Sequence, residues 1–309
     1  MTLTIGTGPF GDQGEKVFNF EVRAPEDHVL YFEDSPRRVR ALFAGETVVD
    51  SRRAKLMHEA GYLPIYYFPE EDVRMDLLEV TDHTTHCPFK GDASYWSVRA
   101  GESVAENAVW SYPEPIDSAP PLAGYLAFYF RKMDSWFEEE EEIFIHPRDP
   151  YHRVDALQSS RHVRVSVGGE VVAETDRPKV LFETGLPPRY YIPPEDVRDD
   201  VLLPSDKETQ CPYKGTASYH SVKVGDETVE DLVWHYPEPI AAVANIRDHL
   251  SFFNERVDLE VDDEPQERPK TQWSLSTLPA AACQNGASRL VSTLGLTPSL
   301  VSPAPSASP

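Results

Sequence analysis

Short runs in which apolar and polar residues alternate make up most of the chain, and turn-forming residues separate them. Residues 38–49 alternate around Gly45, a pattern that predicts a β-hairpin, and residues 163–172 repeat it around Gly168 and Gly169. The aromatic segments "IYYF", "SYWSV" and "AVWSY" have the length and composition that favour strands. We therefore predict an all-β fold that is mainly antiparallel and contains little helix.

A few segments depart from this alternation and predict where strands begin and end. Pro69 precedes three acidic residues, which predicts one or two helical turns there. The prolines of "YPEPI" should end the strand before them, because proline cannot donate a hydrogen bond to a sheet. Segments 124–130 and 248–253 predict the last strand of two similar units, and "VLYFEDS" (29–35) predicts an extra strand before the first hairpin.

The chain repeats itself at a constant offset of 124 residues, without a gap. "PIYYFPEEDVRMDLL" (64–78) and "PRYYIPPEDVRDDVL" (188–202) share 10 of 15 positions. "THCPFKGDASYWSV" (85–98) and "TQCPYKGTASYHSV" (209–222) share 10 of 14. A period this long indicates tandem domains, since the units of solenoid proteins are shorter. We call the two copies the first and the second repeat.

The composition changes along the chain and predicts its domain boundaries. We expect a first domain over residues 1–148, with an N-terminal extension and an acidic linker, a second domain over 149–267, and a disordered tail over 268–309. The tail contains no acidic residue and is rich in serine, alanine and proline. The run "EEEEE" (138–142) should remain solvated and unpacked, with "HPRDP" (146–150) as a turn-rich bridge after it.

Charge and cysteine content narrow the range of partners. The chain has 52 acidic and 29 basic residues and a formal net charge of -23, which repels phosphate backbones, so we expect no nucleic-acid partner. Cys87, Cys211 and Cys283 form neither a CxxC pair nor a disulfide framework. No segment resembles a signal peptide or a membrane span, so we expect a cytoplasmic protein with no membrane partner. The oligomeric state stays open.

Three motifs recur in the same order in both repeats: "PxYYxPxEDV", "CP[FY]KGxASYxSV" and "VWxYPEPI". In this order they resemble the DUF427 family, also labelled nucleotidyltransferase-like family 9, over roughly residues 37–133 and 161–257. The resemblance implies two tandem β-tent-like domains, related to zinc-binding and small-molecule-binding modules. Those relatives hold zinc with two CxxC pairs, whereas each repeat here has one cysteine at the motif, so we expect neither a metal nor a cofactor.

The segment from cysteine to glycine in each "CP[FY]KG" motif allows two interpretations. A cation about one turn away would activate a cysteine nucleophile, and Lys90 and Lys214 follow Cys87 and Cys211 by three residues. Alternatively the cysteine is a small buried apolar residue, the lysine caps the surface, and the motif shapes a corner.

Histidines offer two further candidate sites. His220, His235 and His249 replace Trp96, Ser111 and Tyr125 of the first repeat, and a histidine near Cys211 would serve as its base. This makes Cys211, Lys214, His220 and His235 the candidate catalytic residues of the second repeat. The segment "HTTHC" of the first repeat has metal-ligand character, but the second repeat reads "KETQC" there, which favours surface histidines.

Aromatic residues and arginines are the remaining candidates for a ligand-binding site. Because neighbouring residues of a strand point to opposite faces, at least one of Tyr66 and Tyr67 should face a core or a pocket. Tyrosine and tryptophan suit an aromatic pocket with a few hydrogen bonds, and an arginine suits a ligand carboxylate or an exposed ion pair. The candidate ligand-binding residues are Arg53, Tyr66, Cys87, Lys90, Tyr95, Trp110, Arg177, Tyr190, Tyr219 and Trp234.

These features leave two functions open. The first is a small-molecule-binding protein with an aromatic pocket beside the CP[FY]KG corner. The second is a cofactor-independent enzyme, of transferase or isomerase type, that uses the second repeat. A structural interaction module is a third possibility.

Overall fold

The first repeat contains two antiparallel sheets. The computed structural model describes residues 28–271, 273 and 274. A seven-stranded sheet has the order β1-β4-β5-β9-β8-β7-β6, and a four-stranded sheet has the order β11-β10-β2-β3. The strands are β1 (Leu30–Asp34), β2 (Val39–Phe43), β3 (Glu46–Ser51), β4 (Lys55–Glu59), β5 (Ile65–Pro69), β6 (Leu78–Cys87), β7 (Gly91–Ala100), β8 (Ser103–Ser111), β9 (Tyr125–Phe128), β10 (Ser135–Glu138) and β11 (Glu141–Ile143).

The second repeat contains the same two sheets. Their orders are β12-β15-β16-β20-β19-β18-β17 and β14-β13-β21-β22. The strands are β12 (Val154–Gln158), β13 (Val163–Val167), β14 (Glu170–Thr175), β15 (Lys179–Glu183), β16 (Arg189–Ile192), β17 (Leu202–Cys211), β18 (Gly215–Val224), β19 (Glu227–His235), β20 (Leu250–Phe252), β21 (Asp258–Val261) and β22 (Glu264–Pro265). The predicted all-β, antiparallel fold with two similar units is confirmed.

In the part of the chain that the structure describes, helix is confined to short 3₁₀ segments. Two of them follow Pro69, as predicted, and the second repeat has the same pair. The 3₁₀ segments are Glu70–Asp72, Met75–Leu77, Phe130–Lys132, Pro194–Asp196, Asp199–Val201 and Ala241–Ile246. Within the described residues, no helix has both the length and the apolar character that crossing a membrane requires.

The seven-stranded sheet of the first repeat is buried on both faces. One face packs on the four-stranded sheet and contributes Leu56, Tyr66 and Phe68 to a shared core. The other face carries a separate cluster that includes Met57 and Tyr67. Tyr66 and Tyr67 thus point to opposite faces, as the alternation predicted.

The seven-stranded sheet must curl, because groups four strands apart touch each other. Glu59 ends β4, and Lys90 lies in the turn between β6 and β7. In a flat sheet four steps between strands would separate β4 from β7 by about 19 Å. The Lys90 Nζ and a Glu59 carboxylate oxygen are 2.5 Å apart, so the sheet folds over its second face.

In the acidic run 138–142, residues 139–142 are exposed as predicted, but Glu138 is buried. Glu138 belongs to β10 and is 2% exposed. Its carboxylate accepts hydrogen bonds from the Tyr66 hydroxyl at 2.7 Å and from the side chains of Arg37 and Arg148. Because Arg148 belongs to the bridge 146–150, this buried carboxylate ties the bridge to the first repeat.

Part of the predicted tail also contacts the second repeat. The Thr271 hydroxyl donates to Glu255 at 2.5 Å, and Trp273 packs on the hydrophobic core of that repeat. These two residues of the predicted tail therefore have contacts with the second repeat. The rest of the tail from residue 275 onward, with Cys283, lies outside the described residues.

Two glycines at matched positions generate a prediction. Gly91 and Gly215 have φ of +104° and +105°, and a Cβ there would lie 3.1 Å from the Glu114 carbonyl oxygen and 3.0 Å from that of Glu238. We expect Gly91→Ala and Gly215→Ala each to lower the free energy of unfolding by about 1–3 kcal/mol, from backbone strain plus the clash. Urea denaturation followed by circular dichroism measures this.

The control for this prediction is Gly101→Ala. Gly101 also has positive φ, +59°, but no heavy atom lies within 4 Å of the place that an alanine Cβ would take, so its loss should be the smaller one. Equal losses at all three sites would contradict a specific clash at the corners.

Candidate functional site

A hairpin turn places one lysine in the interior of each repeat. In the first repeat β6 ends at Cys87 and β7 begins at Gly91. The Lys90 N–H donates to the Cys87 carbonyl, and the Lys90 carbonyl accepts from the Ile116 N–H at 3.1 Å. These bonds close the turn, which we call the first corner (Cys87–Gly91), and turn the lysine side chain inward. Lys90 is 5% exposed, so it does not cap the surface.

The buried lysine belongs to a cluster of three polar side chains. Lys90 donates to one carboxylate oxygen of Glu59 at 2.5 Å, and the His28 Nε2 lies 3.1 Å from the other. The His28 ring stacks on Phe89 with ring centres 3.8 Å apart. We call His28, Glu59 and Lys90 the first triad.

The second repeat builds the same cluster at its own corner (Cys211–Gly215). Lys214 donates to Glu183 at 2.5 Å, and the His152 Nε2 lies 3.0 Å from the other Glu183 oxygen. The His152 ring stacks on Tyr213 with ring centres 3.9 Å apart. The second triad is therefore His152, Glu183 and Lys214, each 124 residues after its counterpart.

Charge stabilises the second triad against its own burial. Burial disfavours the Glu183 carboxylate, yet the charge of Lys214 and hydrogen bonds from His152 and Lys214 hold its pKa well below the ordinary value. Burial likewise opposes the Lys214 ammonium, but interactions with Cys211 and Glu183 raise its pKa above the ordinary value. The lysine is therefore a cation at neutral pH and a poor amine nucleophile.

Each buried lysine leaves hydrogen-bonding capacity unused. An ammonium group has three N–H donors. Among the described residues, Glu59 is the only hydrogen-bond acceptor of Lys90, and Glu183 is the only one of Lys214. The Lys90 Nζ also lies 5.9 Å from the centre of the Tyr112 ring. Two N–H groups per corner are thus left for an acceptor that the described chain does not supply.

Aromatic side chains surround each triad. In the first repeat they share the second face of the seven-stranded sheet, where the buried members are Tyr67, Tyr95, Trp110 and Tyr112. The Tyr95 hydroxyl bonds the Thr85 hydroxyl at 2.8 Å. In the second repeat Tyr219 bonds Thr209 at the same distance, and the Trp234 N–H donates to the Tyr191 hydroxyl at 3.0 Å. The phenols remain protonated, since burial raises the pKa of Tyr67 and Tyr191.

The expected site residues fall into two groups. The structure brings Cys87, Lys90, Tyr95 and Trp110 together at the first corner, and Cys211, Lys214, Tyr219 and Trp234 at the second. Cys87 and Cys211 are partly exposed, and both pack on the aromatic side chains.

Tyr66 and Tyr190 do not join these clusters. Tyr66 lies in the core between the two sheets, where its hydroxyl donates to Glu138. Tyr190 precedes Tyr191 in β16 and therefore points away from the second corner. The neighbouring residues Tyr67 and Tyr191 lie in the aromatic clusters instead of Tyr66 and Tyr190.

His220 and His235 are also separated from Cys211. Cys211 pairs with Gly215, which lies on the same face of β18 as Tyr219. His220 and His235 are adjacent to Tyr219 and Trp234 in their strands and so occupy the opposite face. Their rings stack on each other at 5.2 Å, and burial lowers the pKa of both. The structure therefore does not bring them to Cys211 as a base.

Arg53 and Arg177 form exposed ion pairs at matched positions. Arg53 contacts Asp72 at 2.6 Å, and Arg177 contacts Asp196 at 3.1 Å. Arg53 also lines an open depression of about 1010 Å³ that none of the triad residues line. Both arginines lie outside the corners.

The histidines of "HTTHC" have other contacts. His83 packs its ring against Tyr95 with ring centres 4.4 Å apart, and the His86 Nδ1 lies 2.6 Å from Asp92. Across residues 28–271, no group of three or more histidine, cysteine, aspartate or glutamate side chains is arranged to hold a metal ion.

Four residues of the triads were missed from the sequence: His28, Glu59, His152 and Glu183. The signal was present, because each is identical to its partner 124 residues away. It was weak, since single matching residues in otherwise divergent segments stand out less than the contiguous motifs.

The second triad generates a stability prediction. Lys214→Met leaves the Glu183 carboxylate buried without its cation, so we expect the free energy of unfolding to fall by about 3–5 kcal/mol. The double variant Lys214→Met with Glu183→Met removes both charges and should recover most of this loss. Urea denaturation at pH 7 measures both.

The control and the pH dependence make this prediction specific. Lys207→Met removes an exposed partner of Asp231 and should cost less than about 1 kcal/mol. Because the pKa of Glu183 is lowered by folding, its contribution is present above about pH 4.3 and is lost as the pH falls further. When the pH is lowered from about 5 to about 3, the free energy of unfolding should therefore fall less in the double variant than in the wild type. An equal loss in both would contradict the prediction.

Comparison with known proteins agrees with the geometry of two equivalent corners. The family model described as a domain of unknown function (DUF427) matches residues 31–139 and again residues 155–263. A comparison with curated proteins gives no match to this chain. The two matched segments contain both corners and most of the chain, and the chain therefore belongs to the DUF427 family, with two tandem copies of its domain.

Proposed function

We propose that the protein binds a small molecule at a CP[FY]KG corner, with the triad lysine as the polar anchor and the aromatic side chains as the walls. The observation that carries this proposal is a buried ammonium group with two N–H donors for which the described residues supply no acceptor. Buried donors in folded proteins are nearly always satisfied, by protein, by water or by a ligand.

A simple structural role explains this arrangement less well. A buried ion pair contributes little net stability compared with apolar residues of the same volume. In the first repeat the His28–Glu59 contact orients the carboxylate, which leaves two Lys90 N–H groups for a ligand.

Charge and shape indicate the chemical class of the ligand. The charges of Lys90 and Glu59 balance, and the chain carries a net charge of -23, so a strongly anionic ligand gains little. The lysine N–H groups select an oxygen acceptor, and the exposed Phe89 ring offers a stacking surface. We therefore propose a neutral, flat aromatic molecule that carries a carbonyl group.

An enzyme of transferase or isomerase type remains the alternative. It is favoured by the interaction of Cys211 with Lys214 in the second repeat. It is less well supported, because the raised pKa of Lys214 disfavours an amine nucleophile and because His220 and His235 occupy the other face of the sheet. Loss of a discovered turnover in Cys211→Ser would favour this alternative.

A thermal-shift series with three probes tests the binding proposal. Benzamide has the ring, the carbonyl and no charge; cyclohexanecarboxamide lacks the aromatic ring; benzoate carries a negative charge. At tenfold excess over its dissociation constant, benzamide should stabilise the protein by about 1.4 kcal/mol and raise the melting temperature by about 3–6 °C. The other two should give clearly smaller shifts at the same concentration.

The matched variant separates the corner from other sites. In Lys90→Met with Glu59→Met, which keeps the site free of an unpaired charge, the benzamide shift should disappear. If the variant retained the full shift, or if all three probes acted alike in the wild type, the lysine would not be the anchor.

A further inference from the structure

We infer that only the first corner is open to a ligand, because segments of the chain itself close the second corner; this inference rests on the proposed function. The triads are alike, so the difference lies in what covers them. Two separate contacts close the second corner.

The bridge between the repeats covers the aromatic ring of the second corner. The Asp149 N–H donates to the Tyr213 hydroxyl at 2.9 Å, and the His146 ring centre lies 5.9 Å from that of Tyr213. His146 and Asp149 are both buried. The bridge is held in turn by the first repeat, through the Arg148 contact with Glu138 and a 2.9 Å hydrogen bond from the Tyr151 hydroxyl to Glu33.

The first repeat lacks both halves of this hydrogen bond. Its corner has Phe89 in place of Tyr213, and phenylalanine has no hydroxyl group. The residue 124 positions before Asp149 is Pro25, and proline has no backbone N–H to donate. The contact that holds the bridge on the second corner therefore cannot form on the first.

The aromatic ring and the histidine beside each triad are more exposed in the first repeat than in the second. Phe89 is 41% exposed, whereas Tyr213 is 8% exposed. The His28 side chain is 19% exposed, whereas that of His152 is fully buried. Among the described residues, the aromatic ring and the triad histidine are thus exposed only at the first corner, whereas the lysine is buried at both corners.

The segment after the second repeat contacts the aromatic cluster of that repeat. The Arg189 guanidinium lies between Trp234 and Trp273, 5.6 Å and 5.4 Å from their ring centres, and forms a buried ion pair with Glu255. The Thr271 hydroxyl donates to the same carboxylate. This contact adds a cation and an indole ring to the edge of the second cluster.

Among the described residues of the first repeat, this second contact has no equivalent. Ile65 and Arg131 stand at the positions of Arg189 and Glu255, so the ion pair cannot form. The residue 124 positions before Trp273 is Asp149, which lies instead against Tyr213. The same stretch of chain that would cover the first cluster is used to close the second corner.

The two repeats thus have different roles. The first corner takes one ligand per chain, and the second corner holds the bridge and supports the first repeat. The second repeat has kept its triad because the His152 ring stacks on Tyr213, the residue that binds the bridge.

Hydroxyl-radical footprinting of the full chain, with and without benzamide, tests this inference. Without benzamide, oxidation at Phe89, corrected for intrinsic reactivity, should exceed that at Tyr213 about fivefold, the ratio of the exposed fractions 41% and 8%. Benzamide should slow oxidation at Phe89 and leave Tyr213 unchanged. In Tyr213→Phe, which removes only the hydroxyl that binds the bridge, oxidation at position 213 should increase.

The control is Phe89→Tyr, where position 89 should remain reactive, because Pro25 offers no N–H to a hydroxyl there. Equal oxidation of Phe89 and Tyr213 without benzamide, or equal protection of both by benzamide, would overturn the inference. Rapid oxidation of Phe89 with no protection by benzamide would overturn the proposed ligand class and leave the closure of the second corner standing.

Discussion

The ion pair between Lys90 and Glu59, with its counterpart between Lys214 and Glu183, is the interaction on which each repeat depends. It joins a hairpin turn to a strand four positions away in the same sheet, so it forms only when the sheet curls over its aromatic face. Once the sheet has closed, neither charge can leave its partner without a large penalty. The corner, the aromatic cluster and the histidine on the carboxylate all follow from this closure.

Closure also determines the chemistry that is available. A lysine that is both buried and paired is a fixed cation with directed N–H groups, which suits recognition of an acceptor better than nucleophilic attack. The two repeats share this ion pair, and they differ in the residues around it. At the second corner the bridge binds through the Tyr213 hydroxyl, which Phe89 of the first repeat lacks.

Much of the fold could be predicted from the sequence, because strand alternation and the 124-residue repeat are local or contiguous signals. The opposite directions of Tyr66 and Tyr67 followed from alternation alone. The same rule, applied to His220 beside Tyr219 and to His235 beside Trp234, would have placed both histidines away from Cys211. The burial of Lys90 and Glu138 could not be predicted, since their partners come from distant strands and charge is ordinarily a signal of exposure.

The most direct test of ligand binding at one corner only is a crystal structure of the protein soaked with benzamide. We predict one molecule per chain at the first corner, with its carbonyl oxygen within hydrogen-bonding distance of the Lys90 Nζ and its ring against Phe89, and none at the second corner. Benzamide bound away from Lys90, or bound alike at Lys90 and Lys214, would contradict this prediction.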